Sequence, residues 1–243
     1  MHMTHPLVDV LRLKSACSNC SLRELCLPLG LTSDELQQLD NLVDERRRIK
    51  RGTRLYTAAG SFEALYAVRL GSFKTTVLME DGREQVTGFH MMGDMMGLDG
   101  ISSDVHNCTA VALEDSEACV MPFERIEDYA RTLRSLQHHV HQLMSREVVR
   151  EQHAMVLLGT MRAEEKLASF LLDLSRRYSE RGYSSSEFVL RMTREEIGSF
   201  LGLKLETVSR LISRFQEAGL IVAQQKYIRI LDETGLRALI GVP

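Results

Sequence analysis

Three cysteines near the N-terminus have the spacing of a metal-binding loop. Cys17, Cys20 and Cys26 form the pattern C-x2-C-x5-C, which lets one loop present three thiolates to one metal centre. Two further cysteines, Cys108 and Cys119, lie far along the chain. Where thiols stay reduced, such a cluster favours metal or redox chemistry over disulfides. The residues alone leave two alternatives level, a tetrahedral zinc site and an iron–sulfur cluster.

The composition is that of an ordinary globular protein. The chain has 243 residues, of which 44% are hydrophobic and 26% charged, enough for one large domain or two smaller ones. Asp9 and Arg12 interrupt the apolar residues of the N-terminus, so no secretion signal is predicted there. No segment approaches the roughly 18 consecutive apolar residues of a membrane span. We therefore expect a cytoplasmic protein with reduced thiols and no membrane partner.

The pattern of elements predicts an α+β chain in four regions. Residues 1–30 form a cysteine-bearing arm, and residues 31–121 contain short apolar runs separated by glycine turns, typical of an antiparallel β-roll. The pair Asp81-Gly82 between two such runs predicts a hairpin. Residues 122–158 have helical periodicity, and residues 159–243 form a further domain.

The long helix carries an apolar stripe that could pair with a second copy of the chain. The stripe residues recur mostly three or four positions apart. They are Leu136, Val140, Leu143, Met144, Val148, Met155 and Leu158. Glu151 falls on the same stripe, and its charge would oppose a symmetric dimer unless it were protonated or offset. The pattern fits either a helix lying on its own domain or a two-helix homodimer seam that is only marginally stable.

The C-terminal region has the pattern of a winged helix-turn-helix. Thr193 and Glu196 match a capping box at a helix start, and Gly202 supplies a tight turn. The next helix, about residues 205–218, has polar and basic residues at its outward positions, as in helices that enter the major groove of DNA. Its candidate DNA-binding residues are Lys204, Glu206, Ser209, Arg210, Ser213 and Arg214. Residues 226–230 would form the wing. The overall net charge of −3 does not exclude DNA, because this segment is locally basic.

Three stretches of the sequence resemble the FNR family, the oxygen-sensing fumarate and nitrate reduction regulators of the CRP/FNR superfamily. They are the cysteine arm from Cys17 to Cys26, the segment from Cys119 to Glu124, and the recognition segment from Gly202 to Arg210. The resemblance covers essentially the whole chain. It implies a cyclic-nucleotide-binding-like β-roll, a dimerisation helix and a winged helix-turn-helix.

The resemblance also implies a function and a ligand set. Cys119 matches the fourth ligand of a [4Fe-4S] cluster held with Cys17, Cys20 and Cys26, and four thiolates are the usual ligands of such a cluster. Cluster assembly without oxygen would favour a homodimer that binds palindromic, TTGAT-like promoter sites. The bases would be read by Glu206, Ser209 and Arg210, and oxygen would release the DNA. The activator would also contact RNA polymerase, but Arg83 stands in the matching hairpin where an acid is expected.

Other functions are less well supported by the sequence. With the resemblance, zinc becomes the lesser alternative at the cysteines, and Cys108, in an apolar run, is expected to be a buried thiol. A small-effector or cyclic-nucleotide-gated regulator is disfavoured because residues 89–101 lack the Arg-Ser pair that would hold a phosphate. An enzyme is disfavoured because no nucleotide-binding or hydrolase motif is present, and an iron–sulfur enzyme would leave the DNA-binding pattern of the C-terminus unexplained. We therefore expect that the protein is not an enzyme.

Overall fold

The computed structural model describes Cys20, Cys26, Thr32, Glu35 and residues 40–241. In the continuous part, eleven strands and six α-helices follow one another. The strands of the roll are β1 (Glu45–Ile49), β2 (Arg54–Tyr56), β3 (Ala64–Leu70), β4 (Ser72–Leu78), β5 (Glu84–Met91), β6 (Met95–Met96), β7 (Thr109–Ala112) and β8 (Ser116–Pro122). Then come α1 (Phe123–Thr132), α2 (Arg134–Thr160), α3 (Ala163–Ser179), β9 (Glu187–Val189), α4 (Arg194–Leu201), α5 (Leu205–Glu217), β10 (Ile221–Gln224), β11 (Tyr227–Ile230) and α6 (Glu233–Leu239).

Two antiparallel four-stranded sheets form the roll. Their strand orders are β1-β8-β3-β6 and β2-β7-β4-β5. Strands of the two sheets enclose a core of Val68, Phe73, Ala110, Ala118 and their neighbours, which are almost completely buried. The α+β class and the antiparallel roll predicted from the sequence are confirmed, and Asp81-Gly82 lies at the turn of the β4–β5 hairpin.

The outer face of the first sheet forms a second core. Leu65, Ala67 and Met121 lie there under Ile126 of α1 and Leu136 of α2. The prediction of a single helix over residues 122–158 is wrong, because the segment forms two helices. The first, α1, ends before Leu133, which has extended backbone angles (φ −104°, ψ 98°). The break allows the helices on both sides of it to pack on one sheet. Pro122 ends β8 and is the N-cap of α1.

A third core joins the C-terminal domain to the roll. Helices α3–α6 and strands β9–β11 pack around Leu167, Leu171 and Ile197, and the same cluster contains Val86 and Phe89 of β5. The wing has a third strand, β9, which pairs with β11. The sequence did not predict β9, because its three residues carry too short a pattern to recognise. Among the described residues, no helix is both long and apolar enough to cross a membrane.

Candidate functional site

The turn between α4 and α5 is built by specific local chemistry. The backbone N–H of Glu196 donates to Thr193 Oγ1 (3.1 Å), and the N–H of Thr193 donates to Glu196 Oε2 (2.7 Å), which is the predicted capping box. Gly202 has φ 65°, a left-handed conformation that glycine adopts without strain. At Gly198 an added Cβ would lie 2.6 Å from the carbonyl oxygen of Leu203. This close packing within the helix-turn-helix was not anticipated from the sequence.

Helix α5 has one buried face and one polar face. Val208, Leu211, Ile212 and Phe215 are buried in the domain core. Lys204, Glu206, Arg210, Ser213 and Arg214 are exposed, and Ser209 is half-buried. Lys204 is the N-cap of α5 and makes no side-chain capping bond, as its chemistry predicts. The six candidate DNA-binding residues therefore lie on one helix and at its start.

These six residues differ in the hydrogen bonds and ion pairs that their side chains make within the protein. Arg214 pairs with Glu164 of α3, and the hydroxyl of Ser213 donates to the carbonyl oxygen of Ser209 at 3.3 Å. Within the described part of the chain, Glu206 and Arg210 have no hydrogen bond or ion pair to another side chain. An exposed arginine and glutamate near the start of a recognition helix can bind guanine and cytosine edges, respectively. Glu206 and Arg210 are thus the side chains most accessible to a base.

The cysteines form a second candidate site on the outer face of the first sheet. Cys119 lies on β8, between Arg46 of β1 and Ala67 of β3 in the register. Cys26 packs against the same apolar cluster as Cys119. Burial raises the pKa of the Cys119 thiol, the nearby Arg46 lowers it, and the charge of Cys20 raises it further. Cys26 and Cys119 therefore pack on one apolar core of the roll, and Cys20 lies near enough to Cys119 to influence its pKa.

The arm also contacts two other parts of the protein at Cys26. Its Sγ lies 4.0 Å from the carbonyl oxygen of Gly93, in the turn between β5 and β6. Its own carbonyl oxygen lies 3.1 Å from Nε2 of His139, which donates to it from α2. His139 is buried, and burial lowers its pKa. This contact of His139 joins two distant parts of the chain and was not predicted from the sequence.

The structure leaves the ligand set incomplete. Cys17 lies outside the described residues, so its predicted role is not placed. Among the residues that are described, no three His, Cys, Asp or Glu side chains are grouped closely enough to hold a metal ion. Cys108 is partly buried at the other core, where its Sγ lies 3.4 Å from Asp99 Oδ2. Burial raises the pKa of Cys108 to about 12, which favours the protonated thiol at neutral pH.

The predicted dimer stripe of α2 divides along the length of the helix, buried toward its start and exposed toward its end. Leu136 is buried in the core of its own roll, and Val140 packs against that core. The prediction that Leu136 contacts a second subunit is therefore wrong, because its side chain is already covered within the chain. Leu143 and Met144 are half-buried. Val148, Met155 and Leu158 are 54%, 70% and 43% exposed, and Glu151 is exposed beside them. Val149 and Val156 are exposed as well, although the sequence stripe did not include them.

Comparison with known proteins gives the class of molecule. Residues 165–239 match the Crp-like helix-turn-helix domain family, and residues 46–132 match the cyclic nucleotide-binding domain family. This pair of domains defines a Crp-like transcription regulator that binds DNA and is not an enzyme.

Individual relatives narrow the class. The chain is 50% identical to the transcriptional regulatory protein btr of Bordetella pertussis over 225 residues, which cover 93% of each protein. It is 43% identical to the fumarate and nitrate reduction regulatory protein of Escherichia coli, covering 93% of this chain and 90% of that one. The structure of FixK2 from Bradyrhizobium japonicum superposes with TM-score 0.74 at 28% identity, over 80% of this chain and 96% of that one. The chain belongs to the FNR regulators of the CRP/FNR family.

Proposed function

We propose that this regulator senses oxygen through a [4Fe-4S] cluster held by Cys17, Cys20, Cys26 and Cys119. The observation that carries the proposal is the position of Cys26, which packs on the same core as Cys119 and hydrogen-bonds to α2. Thiolates are the donor set that such clusters require. When bound, the cluster supplies an oxygen-labile link between the arm and the roll.

The protein's own residues would carry the signal from the arm to the long helix. Cys119 is fixed on a central strand, because β8 pairs with both β1 and β3. Cys26 is tied to the first turns of α2 by His139. When the cluster fixes the arm to the roll, the hydrogen bond between Cys26 and His139 also restrains the start of α2. When the cluster is lost, α2 loses this restraint. The exposed face of α2 then sets the balance between monomer and homodimer.

The dimer would be needed for DNA recognition. One recognition helix reads one half-site, and a twofold pair reads a palindrome with half-sites about one helical turn apart. We propose that Glu206, Ser209 and Arg210 read TTGAT-like half-sites in promoter DNA. A relative in Haemophilus influenzae, 44% identical over 225 residues, is called the anaerobic regulatory protein, which supports a role in the response to oxygen.

The β4–β5 hairpin is the proposed contact with RNA polymerase when the regulator acts as an activator. Leu78 and Met79 at this hairpin are 71% and 48% exposed. Arg83 is paired with Asp81 at 2.6 Å, so the positive charge that departs from the family pattern is partly neutralised within the tip. Exposed apolar side chains on a hairpin are available to a partner surface.

The decisive experiment is anaerobic purification followed by iron, sulfide and zinc analysis. We expect about four irons and four sulfides per chain, with a broad visible absorption band that bleaches in air. Sedimentation and retardation of a palindromic DNA, before and after air, would then report the dimer and its binding. Colourless protein with stoichiometric zinc would replace the sensor with a structural zinc site. A protein that has lost its cluster and still binds DNA equally tightly would refute the oxygen switch.

A further inference from the structure

We propose that the guanidinium of Arg46 is the charge partner of the iron–sulfur cluster, beyond the four cysteine ligands. The inference rests on the proposed function. Arg46 of β1 is the direct antiparallel neighbour of Cys119. Side chains of directly opposed residues in antiparallel strands project to the same face of the sheet and lie close together. Arg46 and Cys119 therefore project to the outer face where Cys26 packs.

The hydrogen-bonding state of Arg46 supports this assignment. Its Nε atom is buried and has no hydrogen-bond acceptor among the described residues. A buried guanidinium N–H without a partner is costly, and native structures seldom leave one unsatisfied. A sulfur ligand of an anionic cluster is an acceptor of the appropriate charge. The unsatisfied donor therefore points to an anion at this face.

The neighbouring arginines are already engaged by a carboxylate. Arg69 Nη1 lies 2.6 Å from Glu117 Oε1, and Arg48 Nε lies 3.7 Å from Glu117 Oε2. Glu117 is opposite Arg48 in the register, two positions before Cys119 on β8. The Nε of Arg69 is also buried without an acceptor, but Glu117 supplies an ion pair to Arg69 and to Arg48. Arg46 is the arginine on this face that has no ion-pair partner in the described part of the chain.

The electrostatic reason for such a partner is simple. Four thiolates outweigh the positive charge of an iron–sulfide core, so the cluster is an anion beside an apolar surface. An anion in a partly buried site is stabilised by a fixed positive charge nearby. Charges and hydrogen bonds near the sulfurs also set the reduction potential, because each added electron makes the cluster more negative. Removing the Arg46 charge should make reduction harder and oxidation easier.

The test compares Arg46→Gln and Arg46→Met with the control Arg47→Gln, all reconstituted anaerobically with iron and sulfide. Arg47 is the next residue on β1, projects to the other face and pairs with Glu45 at 2.7 Å. The midpoint potential is measured by spectroscopic titration, and the cluster lifetime in air is followed by visible absorption. The apo proteins are compared by circular dichroism and thermal unfolding.

We expect both Arg46 variants to bind the cluster with a more negative potential and a several-fold shorter lifetime in air. A tenfold change in the one-electron equilibrium constant corresponds to about 59 mV. Arg47→Gln should match the wild type. Equal potentials and lifetimes in all four proteins would overturn the role of Arg46 and leave the proposed function intact. A wild type that takes up no iron and sulfide would instead refute the proposed function. Should Arg46→Gln fail to fold, Arg46→Met decides, because an apolar chain leaves no buried N–H unpaired.

Discussion

Asp94 of the roll and Arg181 of the C-terminal domain form a buried ion pair, with Oδ1 and Nη2 2.6 Å apart and side chains only 17% and 7% exposed. Arg177 of α3 pairs with the other carboxylate oxygen. Asp94 lies next to Gly93, whose carbonyl oxygen is contacted by Cys26. One turn of the roll therefore contacts the cysteine arm on one side and the DNA-binding domain on the other.

The first prediction concerns the loss of this pair. Asp94→Ala leaves two guanidiniums without their carboxylate, and breaking a buried pair in this way costs about 3 to 5 kcal/mol. We expect a clearly lower urea midpoint, or separate transitions for the roll and the DNA-binding domain. Urea unfolding followed by circular dichroism measures both.

The matched control for Asp94→Ala is Asp128→Ala. Asp128 pairs with Arg131 on α1, and both side chains are mostly exposed (62% and 74%). An exposed pair contributes little to stability, so this control should be close to wild type. If the two variants lose equal stability, the Asp94 pair does not hold the domains together.

The second prediction concerns acid sensitivity at His90, which is buried with Nε2 3.3 Å from Thr75 Oγ1. Burial, with a further contribution from Arg150, lowers the pKa of His90 from 6.5 to about 3. Between these values the unfolded chain binds a proton that the folded protein does not, so stability falls as the pH falls below 6.5. The loss by pH 5.5 should be about 1 kcal/mol.

Urea unfolding at pH 7 and pH 5.5 tests this for wild type and His90→Gln. Glutamine cannot take up the proton, so the variant should lose about 1 kcal/mol less than the wild type between the two pH values. Since all other histidines are common to both proteins, the difference isolates His90. An identical pH dependence in both would show that folding does not lower the pKa of His90.

Local signals in the sequence were sufficient to predict the helix-turn-helix. Thr193, Glu196 and Gly202 act on residues three or four positions away, so their chemistry could be interpreted without the fold. The exposed position of Arg210 followed from the spacing of the apolar residues in α5. The candidate DNA-binding face is therefore the part of the protein that sequence patterns describe best.

Long-range contacts were not predictable in the same way. Asp94 and Arg181, or Cys26 and His139, are brought together only by the packing of separate elements. Leu136 shows the same limit, since a stripe at helical spacing does not reveal whether it faces its own roll or a second subunit. The break at Leu133 also depends on tertiary packing, because no proline or glycine lies at that position.

The third prediction concerns the exposed face of α2. Glu151→Leu removes a charge from the proposed seam and extends its apolar surface, so the cluster-free protein should become more dimeric. Met155→Glu should have the opposite effect, because it adds a charge where the side chain is 70% exposed in the monomer. Analytical ultracentrifugation over a range of protein concentrations gives the dimer constants. If neither substitution changes the constant, the seam lies elsewhere.

The last prediction concerns base recognition by Arg210. Arg210→Ala should cost about 1 to 3 kcal/mol on a TTGAT-like palindrome, since an arginine can bind the O6 and N7 atoms of guanine together. The loss on random DNA should be much smaller, because a base contact contributes only where the base is present. Fluorescence anisotropy at one fixed salt concentration measures both affinities.

Arg214→Ala is the comparison for Arg210→Ala on the same helix. Arg214 is engaged by Glu164, so we expect its removal to have a smaller effect that is similar on both DNAs. Equal losses on cognate and random DNA for Arg210→Ala would instead assign Arg210 to the phosphate backbone. The specificity of α5 would then have to come from Glu206 and Ser209, and base substitutions at the matching positions of the half-site would identify which of the two reads them.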